Sequence, residues 1–299
     1  MYETAVMLHK SSFDPIFVRG MSRSGGTLLC TLLDAHPEIS FSFELYPPLL
    51  LQPEPIDLQT LARKVRAAKT LKAAAALAPT QKFRTFVNRL PRGGIGPSEF
   101  GDVLQQLADE NLSLSDLSGC FRTVQLCCEI KQRRENSQRW GAKCNGAVEG
   151  YLDAFPDAQF IDILRDGRDV LASQQNTGSF NPDPTALAQS WLKLHQRFLK
   201  LQEMLPDQVL VIKYEDLTSD PVETTQQICR FLRLPYVEDM QNFYKQDLTL
   251  FKANHLSGER ISSKIDSTKV GRWRSELSPE DIRAFEEHAG SALTEWGYV

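Results

Sequence analysis

No stretch of this chain approaches the roughly 18 apolar residues that a membrane-spanning helix needs, and residues 1–10 hold no basic start leading into a long apolar run. These absences argue against a helical membrane protein and against a secretory leader. Cysteine is sparse, six in 299 residues with no Cys-x-x-Cys pair, which excludes a disulfide-stapled secreted domain. Cys30, Cys120, Cys127, Cys128, Cys144 and Cys229 read as small apolar core side chains, not as metal ligands, and the expected setting is the reducing cytoplasm. Basic charge is not in excess: 34 Lys and Arg face 38 Asp and Glu, a formal net charge of −4, so whole-chain electrostatics give no support to a nucleic-acid partner. Internal repeats and low-complexity tails are missing too. What remains, 41% hydrophobic and 24% charged residues, fits a folded protein large enough to bury a substantial core.

Short apolar runs at residues 16–18, 39–43, 160–164 and 209–212, with a shorter one at 140–143, alternate with helical stretches. That alternation predicts a three-layer α/β architecture, a central parallel sheet of about five strands with flanking helices, in a single domain over 1–299. Between about 52 and 135 the character changes. Residues 61–78 are rich in Ala, Leu, Lys and Arg, and 100–111 carry apolar residues at helical spacing, so this stretch reads as a helical insertion. Within it, Pro91-Arg92-Gly93-Gly94-Ile95-Gly96-Pro97 reads as a mobile loop.

Residues 58–98 contain no Asp or Glu, whereas Arg63, Lys64, Arg66, Lys69, Lys72, Lys82, Arg84, Arg89 and Arg92 are all basic. Two readings stand side by side: a solvated helix face, or a rim that attracts an anionic ligand or membrane surface.

The first apolar run feeds Arg19-Gly20-Met21-Ser22-Arg23-Ser24-Gly25-Gly26-Thr27-Leu28, a strand leading through a glycine loop into a helix. Backbone amides of such a loop, together with the positive end of the helix dipole, cradle phosphate. Gly20 and Gly25 have P-loop spacing, but Gly26 stands where the nucleotide-binding lysine belongs. Arg23 supplies the positive charge, and Ser24 and Thr27 the hydroxyl donors. A second strand-to-helix turn follows residues 160–164: Arg165-Asp166-Gly167-Arg168, with Ser173 about two helical turns further on, where it could share an anion with Arg165. Two anion sites on one sheet imply one nucleotide with two phosphate groups.

These residues together resemble the sulfotransferases that use 3'-phosphoadenosine 5'-phosphosulfate (PAPS). Arg23-Ser24-Gly25-Gly26-Thr27, with Asp34-Ala35-His36-Pro37 after its helix, is similar to the family's 5'-phosphosulfate loop. Arg165-Asp166-Gly167-Arg168 with Ser173 is similar to its 3'-phosphate motif. Lys213-Tyr214-Glu215-Asp216-Leu217 and Lys269-Val270-Gly271-Arg272-Trp273-Arg274 resemble its later strand and its C-terminal cofactor loop. Among branches, the pairing of Arg23-Ser24-Gly25-Gly26-Thr27 with Arg165-Asp166-Gly167-Arg168 most resembles the tyrosylprotein-sulfotransferase-like branch.

The resemblance implies sulfuryl transfer from PAPS to a hydroxyl acceptor by in-line displacement, releasing 3'-phosphoadenosine 5'-phosphate (PAP) and needing no metal. It implies that Arg23, Ser24, Gly25, Gly26, Thr27 and Leu28 hold the 5' end and that Arg165 and Ser173 hold the 3'-phosphate. Tyr214, Lys269 and Arg272 are implied as further nucleotide contacts, and Ser262 and Ser263 as lesser ones. Glu44 matches the branch's catalytic carboxylate, with Phe41, Phe43 and Leu45 as an apolar neighbourhood that would raise its basicity. His36 is the rival base. Lys143 matches a lysine that stabilises the leaving phosphate.

Two departures bear on the acceptor. Tyr46-Pro47-Pro48-Leu49-Leu50-Leu51 follows Glu44 where the branch carries arginines for acidic peptides, which favours a small apolar or aromatic hydroxyl compound. Thr177 stands where the branch has an arginine after Ser173, so a cation of the 269–274 loop would have to compensate. The alternatives are a P-loop kinase, disfavoured by Gly26, and a non-catalytic nucleotide-binding protein, disfavoured by Glu44 with Lys143.

Overall fold

Each of the five apolar runs is a strand. In the computed structural model, which describes residues 14–144, 148–177, 182–246 and 263–299, they are β1 (Ile16–Gly20), β2 (Ile39–Ser42), β3 (Arg139–Lys143), β4 (Gln159–Leu164) and β5 (Val209–Lys213). They form one parallel sheet in the order β2-β3-β1-β4-β5, with Ile39 opposite Arg139 and Phe160 opposite Val209. β2 and β4 are buried along their whole length. Strands covered on both faces read as unbroken apolar runs, not as alternating ones.

The helices among the described residues are α1 (Gly26–Asp34), α2 (Leu58–Arg66), α3 (Leu71–Ala76), α4 (Gln81–Arg89), α5 (Pro97–Asp109), α6 (Leu117–Glu135), α7 (Val148–Ala154), α8 (Gly167–Gln175), α9 (Pro184–Met204), α10 (Tyr214–Ser219), α11 (Pro221–Leu232), α12 (Trp273–Glu276) and α13 (Pro279–Glu295). Many starts follow local rules. Asp57, Thr70, Thr80, Asp183, Asp220 and Ser278 each accept a hydrogen bond from a backbone N–H of the first turn. Pro97, Pro184, Pro221 and Pro279 open helices, where a missing N–H costs nothing.

The chain divides into two compact units. The first takes its described residues from Met1–Phe17, Cys30–Gln159 and Asn242–Ser262, the second from Val18–Leu29, Phe160–Gln241 and Ser263–Val299. In the first unit, α2 to α6 realise the expected helical insertion. Gly101 of α5 lies so close to α2 that a Cβ there would meet Arg66 Cβ at 2.7 Å. The rings of Phe83 and Phe86 pack on Phe100 at 6.0 and 5.9 Å, so truncating Phe100 would cost about 3–5 kcal/mol. The expected loop at 91–97 is instead anchored. Leu90–Gly93 is a 3-10 turn, Leu90 and Ile95 are buried, and Arg134 Nη1 donates to Gly94 O at 2.7 Å. Its glycines and prolines mask two apolar anchors.

In the second unit, Trp191 of α9 packs on Phe285 of α13 and on Trp296, with ring centroids 5.8 and 5.2 Å away. A Cβ on Gly167 would strike Phe285 at 2.3 Å and Trp191 at 3.0 Å. Only glycine lets α8 begin against this aromatic core. Beside it Arg19 and Asp162 form a fully buried ion pair between β1 and β4, with Arg19 over the Phe160 and Phe198 rings at 5.1 and 4.7 Å.

Candidate active site

The second unit carries the two strand-to-helix turns. β1 ends at Gly20, and Ser24 N donates to Met21 O at 3.1 Å, closing a tight loop before α1. Gly25 is left-handed at φ +97°, and a Cβ on it would meet Tyr214 Cδ2 at 2.4 Å. Glycine is therefore required twice over, by conformation and by the ring that covers the loop. α1 then starts with Gly26, Thr27 and Leu28 and has no acidic residue in its first turn, leaving the positive end of its dipole for an anion.

Arg165 follows β4 and is 4% exposed. Its Nη1 donates to Arg23 O at 3.0 Å, its Nη2 to Lys269 O, and its guanidinium lies over the Tyr214 ring at 4.3 Å. Its backbone is fixed from behind, where Trp191 Nε1 donates to Arg165 O at 2.8 Å. Arg165 Nε is buried with no hydrogen-bond partner among the described residues. Arg23 Nε donates to Ser173 Oγ at 3.1 Å, and Ser173 is 1% exposed. The two turns are thus cross-linked. Ser173 bonds Arg23 and Arg165 bonds the Arg23 carbonyl, so Arg23 joins the serine and the arginine that the sequence expects to share an anion.

The C-terminal loop reaches the same place through Asp169, which the sequence did not single out. Asp169 accepts from Gly271 N at 2.8 Å and Trp273 N at 3.0 Å. Lys269 contributes its carbonyl, while its side chain is exposed. Arg272 pairs with Glu276 through Nε at 2.6 Å and keeps a buried Nη1 without a partner. Ser262 lies outside the described residues. Arg168 is structural: it bonds Asp166, Glu286 and Tyr298 O and stacks on Trp273 at 3.9 Å. Glu215 accepts from Asp166 N at 2.9 Å, and burial pushes its carboxyl up to about 7. The i, i+4 spacing of Arg165 and Asp169 was the available signal for the loop anchor.

The first unit holds the carboxylate and the lysine. Glu44, just past β2, is left-handed at φ +59°. Among the described residues five non-glycine residues have positive φ: Asn111, Asn136 and Arg233 close or follow helices, and the other two are Arg23 and Glu44. Strain of about 1–3 kcal/mol at each of those two falls on residues that the sequence marks as site candidates. One Glu44 carboxylate oxygen accepts from Lys143 Nζ at 3.5 Å and the other from Arg92 Nη1. Arg89 Nη1 donates to Glu44 O at 3.2 Å and lies over the Tyr46 ring at 5.0 Å. Lys143 Nζ lies 4.8 Å from the Phe43 ring centroid.

Glu44 therefore sits among three cations and not in the apolar surroundings expected of it. Arg89 and Arg92 come from the basic insertion, so at these positions the cationic stretch turns inward. Gly93 is the reason: a Cβ there would press on Ser42 Oγ at 3.1 Å, so its absence lets the turn bearing Arg92 settle beside β2.

His36 takes a local role, its Nδ1 accepting from Glu38 N at 3.1 Å. Asp34, whose carboxyl burial lifts to about 6 against the opposing pull of Lys131, accepts from Lys131 Nζ at 2.6 Å and Phe41 N at 2.7 Å. It ties α1, α6 and β2 together and so sets the strand that ends near Glu44.

The model of the Sulfotransferase family matches residues 15–239. Over 282 residues the chain is 23% identical to a Caenorhabditis briggsae protein named "Putative protein-tyrosine sulfotransferase", an alignment covering 92% of this chain and 85% of that one. Among solved structures it resembles the sulfotransferase domain of the Synechococcus PCC 7002 olefin synthase, with a TM-score of 0.60, 20% identity and coverage of 95% and 97%. The sulfotransferase domain from the curacin biosynthetic pathway gives a TM-score of 0.57 at 18% identity, covering 95% and 98%. At those identities the likeness is one of fold.

Proposed function

The chain belongs to the sulfotransferase family, and we propose that it moves the sulfuryl group of PAPS to a hydroxyl of a small acceptor. The observation that carries this reading is the buried, unpartnered Nε of Arg165, set where Arg165 and Ser173 are both bonded to Arg23. An orphaned donor on a buried cation is costly unless an anion completes it, and a phosphate fits that chemistry. When bound, PAPS supplies the sulfuryl group and leaves as PAP.

Arg165, Ser173 and the Arg272 guanidinium are assigned to the 3'-phosphate, and Arg23, Ser24, Gly25, Gly26, Thr27 and Leu28 to the 5' end. Each charge-assisted bond contributes roughly 1.5–3 kcal/mol. Tyr214 braces both the Gly25 loop and Arg165. Lys269 acts through its carbonyl, which orients Arg165. Lys143 offers a cation against the charge that builds on the departing phosphate oxygen. Glu44 accepts the proton of the attacking hydroxyl. Its preference over His36 rests on the His36 ring being engaged by the Glu38 amide.

The acceptor is assigned an aromatic or aliphatic body, which Phe43 and Tyr46 suit. A metal takes no part in this proposal, nor does nucleic acid. We assign the protein to the cytoplasm, since all six cysteines are free and buried, as suits a reducing compartment; among the described residues no helix is long and apolar enough to cross a membrane. We treat the two units as one catalytic domain.

The test is thermal stabilisation by nucleotide. PAP at saturating concentration raises the melting temperature by several degrees, and ATP with Mg²⁺ by much less. Equal or reversed shifts would restore the kinase alternative.

A further inference from the structure

The cluster around Glu44 holds more positive charge than its one carboxylate neutralises. Lys143, Arg92 and Arg89 all bear on Glu44, which they touch on both carboxylate oxygens and on the backbone carbonyl. The side chains are largely withdrawn from water, with 15% exposure for Lys143, 18% for Arg92 and 17% for Glu44. Among the described residues Arg89 makes no ion pair at all, its guanidinium resting on Tyr46 and the Glu44 carbonyl. Half-buried cations in excess call for an anion from outside. Lys143 has one assigned, the leaving phosphate. Arg89 and Arg92 do not.

Each of these arginines also spends only part of its fork. Arg92 donates through Nη1 to Glu44, and Arg89 through Nη1 to the Glu44 carbonyl. Their Nε and Nη2 groups donate to nothing among the described residues, so each keeps the pair of parallel N–H groups that grips a carboxylate or phosphate. The site is built to present them. Gly93 sits against Ser42, Arg134 holds Gly94 O, and Tyr46 supports the Arg89 guanidinium.

Resting on the sulfotransferase reading above, we propose that Arg89 and Arg92 form an acceptor subsite for an anionic group, so that the acceptor is a hydroxyl compound also bearing a carboxylate or phosphate. This replaces the neutral acceptor that the apolar residues after Glu44 suggested. The charge missing from residues 45–51 is supplied by residues 89 and 92. Binding there places the acceptor hydroxyl at Glu44, because the arginines that hold the acceptor's charge also touch the base.

The experiment measures binding of matched pairs to the PAP-saturated protein by calorimetry. The probes are 4-hydroxyphenylacetate and its methyl ester, 12-hydroxydodecanoate and its methyl ester, and glucose 6-phosphate and glucose. In at least one pair the anion binds about 10-fold tighter or more, as one charge-assisted contact implies. In an Arg89→Gln/Arg92→Gln variant that preference falls to within about 2-fold. The carboxylate and phosphate arms tell the two anion classes apart.

Neutral partners binding as tightly as the anions, no binding by any probe, or a preference that survives in the double variant would each overturn the proposal. So would sulfuryl transfer that falls equally for anion and neutral partner in the single variants, since the arginines would then only position Glu44. Failure of PAP to bind condemns the function reading itself. Absence of an anion preference in the wild-type protein while PAP still binds condemns the subsite alone.

Discussion

The two units solve the problem of placing charge in opposite ways. In the second, Arg23 and Arg165 stand on short turns and Ser173 on α8, in geometry written locally, by Gly25 at φ +97°, by Gly167 against Trp191, and by strands that end where the turns begin. In the first, Glu44 and Lys143 end neighbouring strands, but the charges that complete their surroundings arrive from Arg89 and Arg92, 45 and 48 positions further along the chain than Glu44. A motif can encode the first arrangement. The second depends on how a helical insertion folds back on β2.

That contrast is open to attack at several points. The largest effect belongs to the base: Glu44→Gln lowers turnover by about 10²- to 10⁴-fold while the PAP-induced melting shift stays at the wild-type size, which separates the carboxylate from the nucleotide turns. An unchanged rate would remove Glu44 from the chemistry. Next comes the nucleotide grip. Arg165→Ala weakens PAP binding by about 10²-fold, read by calorimetry, and leaves the Lys143–Glu44 pair untouched. Binding within twofold of wild type would break the claim that its orphaned Nε awaits a phosphate.

Gly25→Ala tests the loop itself. The left-handed φ and the Tyr214 contact predict destabilisation of about 1–3 kcal/mol in denaturant melts, together with a diminished PAP shift. A smaller change follows from Asp169→Asn, which removes one of two acceptors holding Gly271 and Trp273. PAP affinity falls by about 10-fold or less.

The smallest effect is a pH dependence in the second unit. Glu215 has its carboxyl raised by burial to about 7, from a reference of 4.5. The folded protein therefore binds the proton more tightly than the unfolded chain, and stability contributed by the protonated group is lost as pH rises from about 4.5 through 7. Glu215→Gln accordingly raises the melting temperature at pH 8 by roughly 1–3 °C relative to wild type and does nothing at pH 4. A gain of the same size at both values would show that the substitution acts through packing and not through charge.

Much of this was legible before any coordinates. Five apolar runs became five strands because each is a short, mostly apolar stretch of the length a largely covered parallel sheet requires. The Arg23 loop and the Arg165 turn were legible because their glycines and cations lie within ten residues of a strand end. The loop at 91–97 was legible but its anchoring was not, since Gly and Pro content says only that backbone is unusual, while Leu90 and Ile95 supply the burial that anchors it. Ser173 was placed near Arg165 by helical periodicity, while the Arg23 bond that reaches it across 150 positions was not legible. The apolar setting expected for Glu44 failed for the same reason. Phe41, Phe43 and Leu45 are indeed buried neighbours in sequence, yet the carboxylate meets Arg92 and Lys143.

By itself the sequence determined the periodic and the local: which segments are strands and helices, where helices start, and which turns can cradle an anion, because backbone conformation and apolar period depend on residues a few places apart. Only the tertiary structure decided which charges meet. Arg165 joined to the Arg23 carbonyl, Asp169 to the 271–273 amides, and Arg89 and Arg92 to Glu44 are encounters over distances that no spacing rule covers. They are settled by what packs behind each group, Trp191 behind Arg165 and the bare Gly93 beside Ser42.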